Sequence, residues 1–135
     1  EVTWGFSWPD AWDKAQAAIA TIRTQLADRR IPHDELFVEY PGLNSAHGAL
    51  APLPDAGALN AMNEIWTRLV LRTPSKAAAD GFGRLFPWLA LSGPAFTSGF
   101  SGLHGASELL GIWPTLVDRA SVEAGVTLDW LEAGA

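Results

Sequence analysis

The sequence predicts a single α+β domain, a ferredoxin-like βαββαβ sandwich in which two helices cover one face of a four-stranded antiparallel sheet. Three observations predict this fold. Apolar and polar residues alternate at the N-terminus and again over residues 64–72, as in strands that bury one face. Two other segments repeat apolar residues at spacings of three and four, as amphipathic helices do. The elements follow in the order β-α-β-β-α-β, for which the usual strand order is 4-1-3-2.

The first half of the chain supplies two strands and one long helix. Every second residue of the first strand is large and apolar, namely Val2, Trp4, Phe6 and Trp8. Ser7 is expected to cap the following helix, and Pro9 to lie in its first turn. The apolar stripe of this helix consists of Trp12, Ala15, Ile19, Ile22 and Leu26. A second strand is predicted over residues 36–40, and a long irregular segment follows to residue 63.

The second half of the chain repeats this arrangement. Residues 64–72 alternate clearly and predict the third strand. Thr73 and Pro74 are expected to open the second helix, whose apolar stripe is Ala78, Phe82, Leu85 and Leu89. Pro87 should kink this helix or end its regular part. A glycine-rich loop over residues 92–107 precedes the fourth strand, predicted over residues 108–117, where Pro114 indicates an edge position. We expect the domain to span residues 1–120 and residues 121–135 to form a tail or linker.

Composition excludes several classes of function. The net charge is −6, and no basic cluster exceeds Arg29-Arg30, which argues against nucleic acid or an anionic membrane as a partner. The chain has no cysteine, so it holds no disulfide or thiolate nucleophile, and this fits a cytoplasmic protein. No apolar run approaches the roughly 20 residues that span a bilayer. Because the chain begins at Glu1, we expect it to be a processed chain or one piece of a larger protein.

The predicted topology brings three irregular segments to one end of the sheet: residues 7–9, 41–63 and 92–107. Function often resides in loops that a rigid scaffold holds. His47 is therefore the candidate catalytic acid or base, since histidine titrates near neutral pH. The candidate substrate-binding residues are Asn44, Ser45, Gly93, Thr97, Ser98, Gly99 and His104. A structural alternative stays open, because polar residues after a Pro-Gly turn often bond their own backbone and glycines serve tight turns.

Other features give weaker indications. The glycine-rich loop lacks both GxGxxG and GxxxxGK[ST], and the three histidines lack paired spacing, so we expect no cofactor and no metal. Trp4, Trp8 and Trp12 are expected to pack in the core. Trp66 alternates with the buried residues of the third strand and shares the open sheet face with Arg68, so these two residues are the candidate interface.

Four ordered motifs, GFSWPDAWDKAQ, VEYPGLNSAHG, LRTPSKAAADGFGRLFPWLALSGPAFTSGFSG and GIWPTLVDRASV, resemble the C-terminal part of AtuA-like proteins, the acyclic terpene utilisation family. The similarity covers residues 5–122. The resemblance implies catabolism of acyclic terpenes, which proceeds through acyl-CoA thioesters. It also implies that this chain is a piece or a stand-alone relative of longer proteins.

The family's motifs map onto particular positions of this chain. A GLN-x-x-HG motif falls on Gly42, Leu43, Asn44, His47 and Gly48. A GPAGGGG-like loop is kept only at Gly93, Pro94, Ala95 and Gly99, because Phe96, Thr97, Ser98 and Phe100 interrupt its glycines. The closing LVxR-like segment is Leu116, Val117, Asp118 and Arg119, and Arg119 is the nearby cation that could meet an anion.

Two functional hypotheses follow from the residues and the resemblance together. The first is a domain or subunit of an AtuA-like catabolic enzyme that acts on an acyl-CoA or a branched acyclic acid. The second is a non-catalytic packing or oligomerisation module, for which a dimeric α+β barrel is one form. Both imply a partner: the remainder of a larger protein, a different subunit, or a second copy.

Overall fold

A computed structural model describes residues 1–94, 97–102 and 105–129 of the chain. Its centre is a four-stranded antiparallel sheet in the order β2-β3-β1-β4, which reads β4-β1-β3-β2 from the other edge. The strands are β1 (Val2–Ser7), β2 (Glu35–Glu39), β3 (Glu64–Arg72) and β4 (Thr97–Ser101). The predicted mixed architecture with one antiparallel sheet is therefore confirmed.

Five α-helices and one short 3-10 helix occur in the described part of the chain. They are α1 (Ala11–Asp28), the 3-10 helix Gly48–Leu50, α2 (Ala56–Asn60), α3 (Lys76–Gly83), α4 (Leu85–Ser92) and α5 (Arg119–Glu123). The long helix α1 packs on β1 and β3 through its predicted apolar stripe. No helix among the described residues is long and apolar enough to cross a membrane.

The core lies between the helices and one face of the sheet. From β1 it takes Val2, Trp4 and Phe6, each only 1% exposed, so the predicted alternation is confirmed for these three residues. The Trp4 ring meets the Phe86 ring of α4 edge-on at 6.1 Å between centroids. Thr67 on β3 is the buried polar residue of the described core, and its Oγ1 donates to the carbonyl oxygen of Trp4 at 3.0 Å. Burial of each large side chain contributes roughly 1.5–3 kcal/mol.

The start of α1 differs from the prediction. Ser7 does not cap the helix, and Trp8 does not enter the core. Ser7 pairs with Glu64 as the last residue of β1, and the Trp8 backbone N–H donates to the Asn63 carbonyl at 2.8 Å. The sheet ladder thus holds both residues, and the helix begins only at Ala11, after Asp10 in a left-handed conformation. Trp8 is 61% exposed as a result, and it precedes Pro9 through a cis peptide bond.

The second helix is divided, and the division is not at the proline. The chain forms α3 and α4 with Arg84 between them, while Pro87 lies in the first turn of α4. A first-turn backbone N–H has no partner within its helix, so the missing N–H of proline costs little there. The N-cap of α3 is Ser75, whose hydroxyl accepts from the Ala78 N–H, and not Thr73.

The position of the fourth strand was predicted wrongly. β4 lies at Thr97–Ser101, inside the segment expected to be a glycine-rich loop, and residues 108–117 form neither helix nor strand. Gly111 and Pro114 disfavour pairing in that later segment, because glycine adds no packing and proline lacks a donor. Every described residue from Gly105 to Asp129 is exposed. Residues 130–135 of the predicted tail lie outside the described residues.

Candidate functional site

We call one end of the sheet the rim. It is the end at which β1 and β2 finish and at which β3 and β4 begin. The pairings of Ser7 with Glu64 and of Phe6 with Thr97 place the ends of β1, β3 and β4 together, and Glu39 at the end of β2 pairs with Arg68 further into β3. The long segment after β2 and residues 8–10 therefore meet at the rim, as the topology predicted. The rest of the glycine-rich segment does not stay there. Gly102 lies at the opposite end, where a Cβ on it would be 3.3 Å from the Glu1 carbonyl oxygen.

A cleft of about 630 Å³ opens at the rim between the chain that leaves β2 and the chain that enters β3. We call it the rim cleft. Its lining residues are Pro41, Gly42, Leu43, Met62, Asn63, Glu64, Ile65 and Trp66. Most of these are apolar, and Glu64 is the single ionisable residue among them. Such a cleft suits an uncharged apolar group and disfavours an anion, because a carboxylate repels like charge.

The wall of the rim cleft is built by a tight turn after β2. The Asn44 Oδ1 accepts from the Tyr40 N–H at 2.9 Å, and the Asn44 N–H donates to the Tyr40 carbonyl at 3.0 Å. Gly42 has a φ of +86°, a conformation that favours glycine. The turn is held against α1, because the Gln16 amide donates to the Tyr40 hydroxyl at 2.7 Å. The Asn44 oxygen, a predicted substrate contact, is thus used to close the turn beside the cleft.

His47 and Ser45 lie further along the same loop. Both are exposed, and His47 immediately precedes the 3-10 helix. Neither residue is among those described as lining the rim cleft. The predicted acid or base therefore lies on the loop that continues from the cleft wall, on the solvent side.

The other predicted binding residues lie across the sheet from this loop. Thr97, Ser98 and Gly99 belong to β4, and Gly93 ends α4. Because β2 and β4 are the two edges of a four-stranded sheet, three spacings of about 4.8 Å separate them, roughly 14 Å in all. The structure therefore brings Asn44 and Ser98 to the same end but not into one pocket. His104 lies outside the described residues.

Ser98 has a clear structural role in the sheet. The pairing of β1 with β4 shifts register between Trp4 and Phe6. There the Ser98 Oγ accepts from the Gly5 N–H at 3.1 Å and donates to the Gly99 carbonyl at 2.9 Å. The Trp4 indole N–H donates to the Ser98 carbonyl at 3.2 Å. A side-chain hydroxyl thus replaces a regular ladder bond at this irregularity.

Trp66 and Arg68, the candidate interface residues, alternate with the buried residues of β3 and project from the opposite face. The Arg68 guanidinium donates to Glu39 at 2.7 Å and to Glu1 at 2.8 Å. These bonds raise the pKa of Arg68, the hydrogen bond to Glu1 most of all. The Trp66 ring lies against Gly5, where a Cβ would be 3.1 Å from the indole. Sequence reasoning missed Gly5, although a glycine inside an alternating strand signals close approach.

No group of three or more metal-ligating side chains occurs within residues 1–94, 97–102 and 105–129. The rim presents an apolar cleft with one lining carboxylate, Glu64, and an adjacent loop with an exposed imidazole, His47.

The fold and the rim together define an α+β domain with an apolar cleft at one end of its sheet. A model of the acyclic terpene utilisation family protein AtuA matches residues 1–128, so the chain belongs to this family. The predicted resemblance is thereby confirmed over nearly the whole chain. Membership suggests a role in acyclic terpene utilisation. No match was found among curated proteins or among solved structures.

Proposed function

We propose that this domain is part of an AtuA-like catabolic enzyme that acts on an acyl-CoA or a branched acyclic terpenoid acid. The family match supports acyclic terpenes as the substrate class. The observation that carries the proposal is the rim cleft, because its apolar lining suits a branched hydrocarbon chain. The strand order of the sheet supports the ferredoxin-like fold. The location of the protein in the cytoplasm remains a prediction.

The charge distribution at the cleft suggests an orientation for the ligand. The hydrocarbon chain would contact Leu43, Met62 and Trp66. Its carboxylate or thioester end would point away from Glu64, because an anion beside that carboxylate is repelled. This end would then lie toward the loop that carries Ser45 and His47, which makes His47 the proposed acid or base. Contacts with Gly93, Thr97, Ser98 and Gly99 would require an elongated ligand, such as a thioester, that crosses the rim.

A matched pair of variants tests whether the rim cleft binds the ligand. In Met62→Asp a carboxylate enters the cleft wall, whereas Leu53→Asp places one on the same loop outside the cleft. The two parent side chains are similarly exposed, at 36% and 41%. Titration with a branched acyclic acid, followed by tryptophan fluorescence, should show weaker binding for Met62→Asp only. Equal binding by both variants would contradict the proposed cleft.

The test of catalysis needs the intact assembly. His47→Ala should remove activity while leaving the assembly's size and thermal stability unchanged, since His47 is exposed. His33→Ala is the control, because His33 is also exposed but lies in the connection before β2. Full activity of His47→Ala would refute the acid or base role.

A second candidate function is a packing module without catalysis. The exposed apolar residues Trp8 and Leu50 favour it, together with Trp66 on the open face. In this case Trp66→Ser should disperse an oligomer while His47→Ala changes nothing. A dimeric α+β barrel is one form of the module, and a strictly monomeric chain in sedimentation would exclude that form.

A further inference from the structure

We propose that residues 105–117, here called the apolar tail, bind to a second copy of this chain and that two copies exchange their tails. The acceptor is a groove at the end of the sheet opposite the rim cleft. This proposal is independent of the enzyme activity proposed above, because it uses neither the rim cleft nor His47.

The first observation is the exposure of the apolar tail. Its large side chains have little contact with the domain: Leu109, Leu110, Ile112, Trp113 and Leu116 are 80–102% exposed, and Val117 is 63% exposed. Together these side chains expose on the order of 1,000 Å² of surface along the tail. One partner in a standard interface buries about 800 Å². The apolar tail therefore offers enough surface for a specific contact.

The second observation is the groove itself. It has a volume of about 1300 Å³, and its walls come from the C-terminal end of β3, from α3 and from the first turn of α4. Its apolar lining includes Val70, Phe82 and Pro87. The first residues of the apolar tail, Gly105–Leu109, form another wall. Donor segment and acceptor groove therefore lie side by side at one end of the molecule.

This placement determines the geometry of the contact. In a two-fold dimer the same surface occurs on both copies, so each tail can reach the partner's groove and the contact closes. Binding of the apolar tail at the rim cleft would instead join opposite ends of successive copies. Such head-to-tail contacts form rings or open filaments. Because the apolar tail and the groove lie at the same end of the molecule, a closed two-fold dimer is favoured over rings or filaments.

Charge is balanced at the groove and does not select the occupant. Arg72, Lys76 and Arg84 line it, and so do the acidic residues Glu1 and Asp80. Arg72 lies 3.7 Å from Asp34 and 3.6 Å from Glu35, and Lys76 pairs with Asp80 at 2.7 Å. The apolar tail contains one charged residue, Glu108. The proposed contact therefore rests on the burial of apolar side chains.

The first experiment measures the association of the full 135-residue chain by sedimentation at concentrations up to about 100 μM. The tail variant is Leu110→Ser with Trp113→Ser. The control is Leu91→Ser with Trp88→Ser, which removes the same two residue types from α4 outside the groove. We expect a dimer whose dissociation constant rises at least about tenfold in the tail variant and stays within about threefold in the control. A monomeric parent chain, an unchanged tail variant, or equal effects of both variants would overturn the proposal.

The second experiment distinguishes exchange from a tail that folds back. The chain has no cysteine, so Leu110→Cys and Lys76→Cys can be introduced on two differently tagged chains. Mild oxidation should join the two chains through one disulfide between tail and groove. Leu91→Cys mixed with Lys76→Cys is the control and should give far less product. When both substitutions are placed on one chain, predominantly intramolecular closure at every concentration would show that the tail binds its own groove, and would overturn the exchange.

Discussion

The indole ring of Trp66 lies directly over Gly5, so close that a Cβ at Gly5 would be 3.1 Å from ring atoms Cε2 and Cζ2. The same Cβ would be 2.6 Å from the Ser98 Oγ. Three strands thus meet at a position that has room only for a hydrogen. The contact couples the open face of the sheet to the wall of the rim cleft, because Trp66 belongs to both.

Replacement of Gly5 should therefore strain the sheet. We expect Gly5→Ala to lower the free energy of unfolding by about 1–3 kcal/mol, because the new methyl group displaces Trp66 and Ser98. Urea denaturation measures this change. Gly99→Ala is the matched control, since Gly99 lies on β4 and a Cβ there meets nothing within 4 Å. A loss as large in Gly99→Ala as in Gly5→Ala would contradict this explanation.

The buried hydroxyl of Thr67 should stabilise the centre of the sheet. In Thr67→Val the shape is kept, but the hydrogen bond to the Trp4 carbonyl is lost. We expect a cost of about 1–2 kcal/mol in the free energy of unfolding, because a buried acceptor loses a partner. The exposed Thr24 hydroxyl makes a similar bond to Ala20 within α1, and Thr24→Val should change stability by less than about 0.5 kcal/mol. Thermal unfolding of both variants tests this difference.

The Asn44 side chain should matter for the shape of the rim cleft. Asn44→Ala removes the oxygen that accepts from the Tyr40 N–H, so we expect a loss of about 1 kcal/mol and changed tryptophan fluorescence from Trp66. Asn44→Asp keeps an acceptor at that position and should retain most of both properties. If Asn44→Asp and Asn44→Ala show the same loss of stability and the same change in fluorescence, the hydrogen bond does not position the cleft wall.

Arg68 should contribute modestly to the free energy of unfolding, and this contribution should not depend on pH near neutrality. Its two ion pairs join β3 to Glu39 of β2 and to Glu1, the residue before β1, but its side chain is 38% exposed, so solvent screening limits their combined value to under about 1 kcal/mol. The pKa of Arg68 is raised in the fold, so its contribution is complete below the unfolded pKa and is lost only at strongly alkaline pH. The stability difference between the parent chain and Arg68→Met should therefore be the same at about pH 7 and pH 9. A difference that disappears over this interval would show that another group titrates.

The strongly periodic elements could be predicted from the sequence. An element that buries one face repeats its apolar residues at a fixed spacing, whatever the tertiary arrangement around it. β3 was predicted to the residue, and the buried stripes of α1 and of α3 with α4 were predicted from spacing. β4 could not be found this way. Its residues Thr97, Ser98 and Gly99 lack an alternating pattern, and a hydroxyl supplies part of its pairing.

The candidate site was predicted only in outline. The order of strands brings the loop after Tyr40 to the rim, and this followed from topology. The rim cleft could not be predicted from the topology, because Met62 and Leu43 come from opposite ends of a long segment with no repeating pattern. The separation of Asn44 from Ser98 was also missed, because Ser98 was placed in a loop that could reach across the rim, whereas it lies in β4, the edge strand opposite β2.

The short outer strand has a consequence for how the domain opens. β4 has five residues, pairs with one neighbour, and is interrupted by a register shift. Its release would leave β1 still paired with β3 and covered by α1. Backbone amides of β4 should therefore exchange with deuterium long before those of β1, so that the domain loosens from one side as a separate cooperative unit.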